Sequence, residues 1–278
     1  PESGGAGMIA AQYTQGKGMS FGEVPRPEIQ DDELLLRVEA TAICGTDTKM
    51  ARQGHRKLRA GQTIIPGHEF VGVIEQAGAR VAHYTPGMRV GVAPNIGCGN
   101  CEFCGQGLMN MCPDYSAFGI DRDGAHTEWV RIPAAAIAQG NVIPMPDSVP
   151  SIEAALAEPL SCAVNGVRVC NIKPGDVVLI YGAGPMGLLN QMVAQISGAA
   201  RVLMVDLNDS RLKKSLTLGA SAVFNSSTGS TKEWVAAQTN HRGVDAVITA
   251  VPVRQVQQEA LGLLAPFGRL CLDRKSVV

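Results

Sequence analysis

Gly182-Ala-Gly-Pro-Met-Gly187 has the spacing G-x-G-x-x-G, between the apolar run Val177–Tyr181 and a stretch of helical periodicity. Glycines are common in turns, so the run takes its meaning from that position. Gly182 permits a tight turn, Gly184 lets the backbone approach a pyrophosphate, and Gly187 allows close helix–strand packing. Pro185 and Met186 open the following helix, whose N-terminal N–H groups and positive dipole end suit phosphates. Asp206 ends the next apolar run, where a carboxylate can accept both ribose hydroxyls. It would also repel a 2′-phosphate, which favours NAD over NADP. Arg211 could lie near the adenosine, although a solvated surface charge is as good a reading. The competing account of the whole motif is a plain βα turn followed by a helix-capping aspartate.

Two further groups of residues have metal-ligand chemistry. Cys98, Cys101, Cys104 and Cys112 have the spacing C-x-x-C-x-x-C and then a seven-residue gap, in a Gly- and Asn-rich stretch. Four thiolates so close together can wrap one tetrahedral zinc and leave no open position, so such a site is structural. The ion would stabilise a loop that lacks a core of its own. Disulfides and an iron–sulfur cluster are the alternatives. Disulfides suit an intracellular chain poorly, and beside a hydride-carrying dinucleotide a cluster has no obvious task.

The second group is dispersed over Cys44-Gly-Thr-Asp47, Gly67-His-Glu69 and Ala157-Glu-Pro-Leu160. A lone Cys, His or Glu is usually structural. Together, Cys44, His68 and Glu158 supply three ligands and leave a fourth position open, which is the layout of catalytic zinc. One thiolate and one carboxylate neutralise Zn²⁺, and a metal so held would lower the pKa of a substrate hydroxyl.

The elements that must position these residues fall into two textures that meet near residue 170. Before it come short alternating strands, such as Leu34–Val38 and Gly67–Ile74, separated by Gly/Pro turns. After it, strands expected at 177–181, 201–205, 222–224, 244–249 and 268–272 alternate with helices at 186–196, 210–218, 231–239 and 255–264. Repeated βαβ units imply a parallel, doubly wound sheet. The expected architecture is therefore α/β, with a mostly β domain over 8–170, its metal lobe near 95–115, and a Rossmann domain over 171–278.

The 278 residues allow two domains. A formal net charge of −1 with dispersed Lys and Arg gives no electrostatic case for nucleic acid or an anionic membrane. No apolar run is long enough to span a bilayer, and the start lacks the layout of a secretory signal. The eight cysteines are accordingly read as intracellular thiols, and the expected location is cytoplasmic. Pro1–Gly7 reads as a flexible lead, with Met8 the expected natural start.

Taken together, CGTD, GHE, the four-cysteine lobe and GAGPMG resemble the zinc-containing medium-chain dehydrogenase/reductase family, from Met8 to Leu272. The resemblance implies a GroES-like domain carrying catalytic zinc and a Rossmann domain binding NAD(P). It implies that Cys44 and His68 are zinc ligands, that Glu158 stands where classical alcohol dehydrogenases have a second cysteine, and that Glu69 sits behind the metal or swings in. Thr46 corresponds to the hydroxyl that passes the substrate's proton outward. Asp47 corresponds to the acid orienting the zinc-bound His, and Cys162 to a small residue against the nicotinamide. The EPLSCAVNG stretch resembles the polyol (sorbitol-like) branch, with threonine dehydrogenases close behind.

The proton-relay His of classical members is Lys49 here. His55, His83, His126 and His241 match no role and read as surface or loop residues, whereas Cys170 and Cys271 read as small buried hydrophobes. The sequence stops after the expected fifth Rossmann strand, where family members normally continue. The expectation is a zinc- and NAD-dependent polyol dehydrogenase, with a homodimer or homotetramer implied by the resemblance and threonine or a simple secondary alcohol as alternative substrates. A catalytically silent, zinc-stabilised binding protein is the reading from another class, and a nucleic-acid module is remote because no basic recognition helix accompanies the cysteines.

Overall fold

The computed structural model describes residues 7–273, so the lead before Gly7 and the polar tail after Asp273 lie outside the described residues. Gly7 itself belongs to the first strand, Gly7–Thr14. The chain divides into two compact units, Pro1–Glu158 and Pro159–Val278. No helix among the described residues is long and apolar enough to cross a membrane.

The first unit is mostly antiparallel β. Its five-stranded sheet runs in the order Val142–Pro144, Arg89–Val92, Glu69–Ala77, Leu34–Ala42, Trp129–Ile132. One face buries Leu34, Leu36, Phe70, Ile74, Val90, Val130 and Ile132 in a single cluster. The other receives Ala154 and Ala155 of the segment after the sheet, which pack on Val71. Burial of both faces explains why Leu34-Leu-Leu36 is continuous rather than alternating. Two register shifts interrupt the pairing of Leu34–Ala42 with Glu69–Ala77, which ends with Ala42 opposite Glu69. That final pair decides the site, because it puts the turn after Ala42 beside the turn before Glu69.

The second unit is a five-stranded parallel sheet in the order Ala222–Asn225, Arg201–Asp206, Val177–Tyr181, Val244–Thr249, Leu264–Leu272. Side chains alternate between two buried faces. Val178, Ile180, Val202, Met204, Ala246 and Ile248 line one, and Leu179, Tyr181, Leu203, Val205, Val244 and Val247 line the other. Helices Pro185–Ile196 and Asp209–Thr217 cover the first face through Val193, Ala194 and Leu212. Helices Thr231–Gln238 and Arg254–Leu261 cover the second through Val235 and Ala260. This is the doubly wound α/β arrangement that the alternating runs imply.

The boundary between the units falls earlier than the change of texture near 170. Helix Ala157–Val169 begins at it, and Ala163, Val167 and the following Cys170 pack into the second unit's core. At the chain's far end, the helix expected to reach Leu264 stops at Leu261 and the strand already starts at Leu264.

Candidate metal and dinucleotide sites

Cys44 stands at the N-cap of helix Gly45–Gln53 in extended conformation. Asp47, three residues on, reaches back so that its Oδ2 accepts the Cys44 N–H at 2.8 Å, as the acid of a capping box does. Thr46 lies on the same first turn, its Oγ1 3.8 Å from Cys44 Sγ. Across the Ala42–Glu69 pair, His68 and Glu69 are only 8% and 7% exposed. One ligand atom each from Cys44, His68 and Glu69 lies within 4.8 Å of the others.

The electrostatics of this group suit a cation. Burial pushes the Cys44 thiol up, and the Glu69 carboxylate beside it pushes the same way, against hydrogen bonds from Thr46 that lower it. A thiolate and a carboxylate are therefore poor company until positive charge is placed between them. Burial also pushes the Asp47 carboxyl up, but the neighbouring His126, the Cys44 N–H and the His68 charge outweigh it and hold that carboxyl below its ordinary value. Thiol, imidazole and carboxylate converging in a buried place is a donor set that fits zinc.

The sequence reading placed Glu158, not Glu69, in the primary set. Glu158 lies half-buried in the first turn of Ala157–Val169. His126 was read as a surface or loop residue with no matching role; it does lie in a loop, but its side chain is turned inward. Its side chain is 13% exposed, and its Nε2 lies 3.4 Å from Asp47 Oδ2. No local signal marks it, since it reaches the site through pairing of residues 124–126 with 65–67. His83 and His241 are exposed, and His55 is half-buried.

The cysteine lobe brings the Cys98, Cys101, Cys104 and Cys112 sulfurs within 4.8 Å of one another. Cys112 is buried, and its Sγ accepts the Cys98 N–H at 3.3 Å. Gln139 ties the lobe to its unit by accepting from Gly97 N–H at 3.0 Å and donating to Gly97 O at 2.9 Å. A Cβ on Gly97 would come 2.4 Å from Cys104 Sγ, so only glycine fits there. The Asn100 backbone amide, followed by neighbouring thiols, pulls the Cys98 thiol down to about 7.

In the second unit Gly182 has φ +97°, and a Cβ there would meet Val251 at 2.7 Å. A Cβ on Gly187 would lie 1.7 Å from Gly182 O, whereas one on Gly184 would meet nothing within 4 Å. Gly184 is the N-cap of helix Pro185–Ile196, with proline at the first helical position, where a missing N–H is tolerated. Met186 turns its side chain onto the core. Asp206 is anchored on both oxygens, Oδ2 accepting from Ala183 N–H at 2.6 Å and Oδ1 from Asn208 N–H at 2.9 Å. Each oxygen keeps a lone pair for a ligand. Arg211 is exposed on the next helix, and Cys162 is exposed on Ala157–Val169.

Residues 30–147 match the family described as alcohol dehydrogenase GroES-like domain, and residues 185–272 match that described as zinc-binding dehydrogenase. A sorbitol dehydrogenase of Bacillus subtilis is 31% identical over 271 residues, covering 95% of this chain and 74% of that protein. An L-threonine 3-dehydrogenase of Mesorhizobium japonicum is 37% identical over 211 residues, covering 76% of this chain and 60% of that protein. Among solved structures, a zinc-binding dehydrogenase from Sinorhizobium meliloti bound to NADP superposes with a TM-score of 0.86 at 31% identity, over 98% of this chain and 80% of that one. The chain thus spans about three fifths to three quarters of the length of these two curated relatives.

Proposed function

Because the chain belongs to the zinc-containing medium-chain dehydrogenase/reductase family, we propose that it oxidises a secondary alcohol of a polyol or sugar alcohol to a ketone, reversibly, with NAD. The observation that carries this reading is the convergence of Cys44, His68 and Glu69 donor atoms within 4.8 Å. In this reading Cys44 and His68 hold the catalytic zinc, with Glu69 and Glu158 as its carboxylates. When bound, the ion supplies Lewis-acid chemistry that makes the substrate hydroxyl easier to deprotonate. The Thr46 hydroxyl takes up that proton and passes it outward, while Asp47 orients the His68 ring.

Gly182, Gly184, Pro185, Met186 and Gly187 form the turn for the pyrophosphate, and Asp206 accepts from the ribose hydroxyls. Arg211 lies at the adenosine's edge and Cys162 against the nicotinamide. The four-cysteine lobe holds a structural zinc. The working assembly is a homodimer or homotetramer in the cytoplasm, with no nucleic acid or membrane partner. The greater identity to threonine dehydrogenases over a shorter span supports a second reading, the same chemistry on threonine.

The test follows NADH absorbance with polyols, sugar alcohols, threonine and simple secondary alcohols, with and without a zinc chelator. Chelator-sensitive turnover on a polyol is expected, and turnover on threonine alone would select the second reading. No turnover from a chain holding two zincs would overturn both. E158A is expected to abolish turnover while NAD binding persists, and retained turnover would remove Glu158 from the ligand set.

A further inference from the structure

We propose that His126 is a positioning residue of the metal site, holding the Asp47 carboxylate that in turn aims the His68 imidazole. This rests on the reading of Cys44 and His68 as zinc ligands. Asp47 lies between two imidazoles, with His68 Nδ1 3.9 Å from its Oδ1 and His126 Nε2 3.4 Å from its Oδ2. Asp47 Oδ1, His68 Nδ1 and His126 Nε2 are all buried and have no hydrogen-bond partner among the described residues. Oδ1 and His68 Nδ1 thus face each other, while His126 Nε2 faces Oδ2, so the Asp47 carboxylate is the group toward which the orphaned nitrogen of each ring is turned.

The backbone fixes the His126 ring in this place. His126 N–H donates to Pro66 O at 2.9 Å, and Ala125 N–H donates to Gly67 O at 2.9 Å. The ring occupies the space a side chain on residue 67 would need, since a Cβ on Gly67 would come 2.6 Å from His126 Nδ1. Gly67 also has φ +99° and immediately precedes His68. The loop bearing His126 and the turn bearing His68 are therefore one braced unit.

Proton positions follow from the neighbours. Thr41 Oγ1 lies 3.1 Å from His126 Nδ1. If the hydroxyl donates there, the neutral ring carries its hydrogen on Nε2, directed at Asp47 Oδ2. That oxygen then takes two donors, His126 Nε2–H and the Cys44 N–H. Oδ1 is left for His68 Nδ1–H, so the lone pair of His68 sits on Nε2, where a ligand nitrogen needs it. His126 sets the tautomer and aim of His68 at one remove without touching the substrate.

The test measures zinc affinity of metal-free protein by competition with a chromophoric chelator, in wild type, H126F, H126N and H126Q. Wild type is expected to take two equivalents, one in the four-cysteine lobe and one at Cys44 and His68. H126F, which keeps the ring but loses the donor, should weaken only the second equivalent, by about tenfold or more. H126Q, whose amide reaches Asp47, should bind within about threefold of wild type, and the shorter H126N should resemble H126F. H126F binding as tightly as wild type, or all three variants weakening equally, would overturn the role. If H126F also loses the lobe's equivalent and so has not folded, the contrast between H126N and H126Q decides. A wild type that takes up only the lobe's equivalent would overturn the catalytic-zinc reading itself, and this inference with it.

Discussion

The glycines of the dinucleotide turn can be separated by what each would strike. In G187A the new methyl would start 1.7 Å from Gly182 O, so the turn or the helix must move. Overpacking of this kind costs about 1–3 kcal/mol. In G184A the methyl would enter open space, on a residue with φ −76° that any side chain adopts. Its stability should therefore change by no more than about 0.5 kcal/mol, or rise slightly as the unfolded chain loses freedom. Yet Gly184 caps the helix whose N–H groups are proposed to meet the pyrophosphate. A methyl there displaces the phosphates from at least one charge-assisted hydrogen bond, worth about 1.5–3 kcal/mol, or about 10- to 150-fold in affinity. Thermal unfolding and NAD titration calorimetry on both variants give the two axes. The expected pattern is G187A unstable and G184A stable but weak for NAD. G184A binding NAD like wild type would refute the assignment of this turn to the pyrophosphate, and G184A as unstable as G187A would refute the steric reasoning.

Two further predictions concern titration. The Asp47 carboxyl is held below its ordinary value, burial being outweighed by His126, the Cys44 amide and His68. A group whose folded pKa is depressed contributes stability above its unfolded pKa, about 4, and loses it as pH falls through the lower folded value. In metal-free protein D47N should therefore be less stable at neutral pH and show a shallower loss below about pH 4; unfolding curves parallel to wild type over that range would count against it. The Cys98 thiol is pulled to about 7 by the Asn100 amide, whereas burial raises Cys44. Iodoacetamide on metal-free protein should therefore label Cys98 well before Cys44 at neutral pH, as mass spectrometry of the peptides would report, and the reverse order would contradict the electrostatic account.

Much of this was legible in the sequence because the relevant physics is local. Val177–Tyr181, Gly182–Gly187 and Asp206 are consecutive parts of one βαβ unit, and the strand–turn–helix context fixes what the glycines do. The cysteine lobe was equally readable, since four thiols within one short loop have little choice but to converge. The dispersed site was only half legible. Cys44 and His68 are brought together by the Ala42–Glu69 pair, and a register broken by two bulges cannot be read from either strand alone. His126 was missed for the same reason at greater range, its segment lying against residues 65–67 through backbone bonds that no side-chain pattern announces. The texture of the sequence changes where helix Ala157–Val169 ends, whereas the two compact units meet where it begins.

The places where satisfaction of buried groups fails are themselves informative. A buried polar atom without a partner costs about 1–3 kcal/mol, so a folded chain tolerates few and is expected to keep them where they serve something. In the first unit Asp47 Oδ1, His68 Nδ1 and His126 Nε2 fail together at the proposed metal. In the second, Thr249 Oγ1 is buried without a partner among the described residues, at the end of strand Val244–Thr249. Thr249 pairs with Tyr181, directly before Gly182, at the carboxyl end of the sheet, and that is the end at which open α/β sheets receive ligands. The surrounding backbone is over-determined at both places, by a helix cap, a paired strand end, and glycines at positions where no Cβ fits. Rigid main chain with unsatisfied side chains is the combination expected where a protein has been shaped to hold something other than itself, and in the first unit three such atoms coincide at one place.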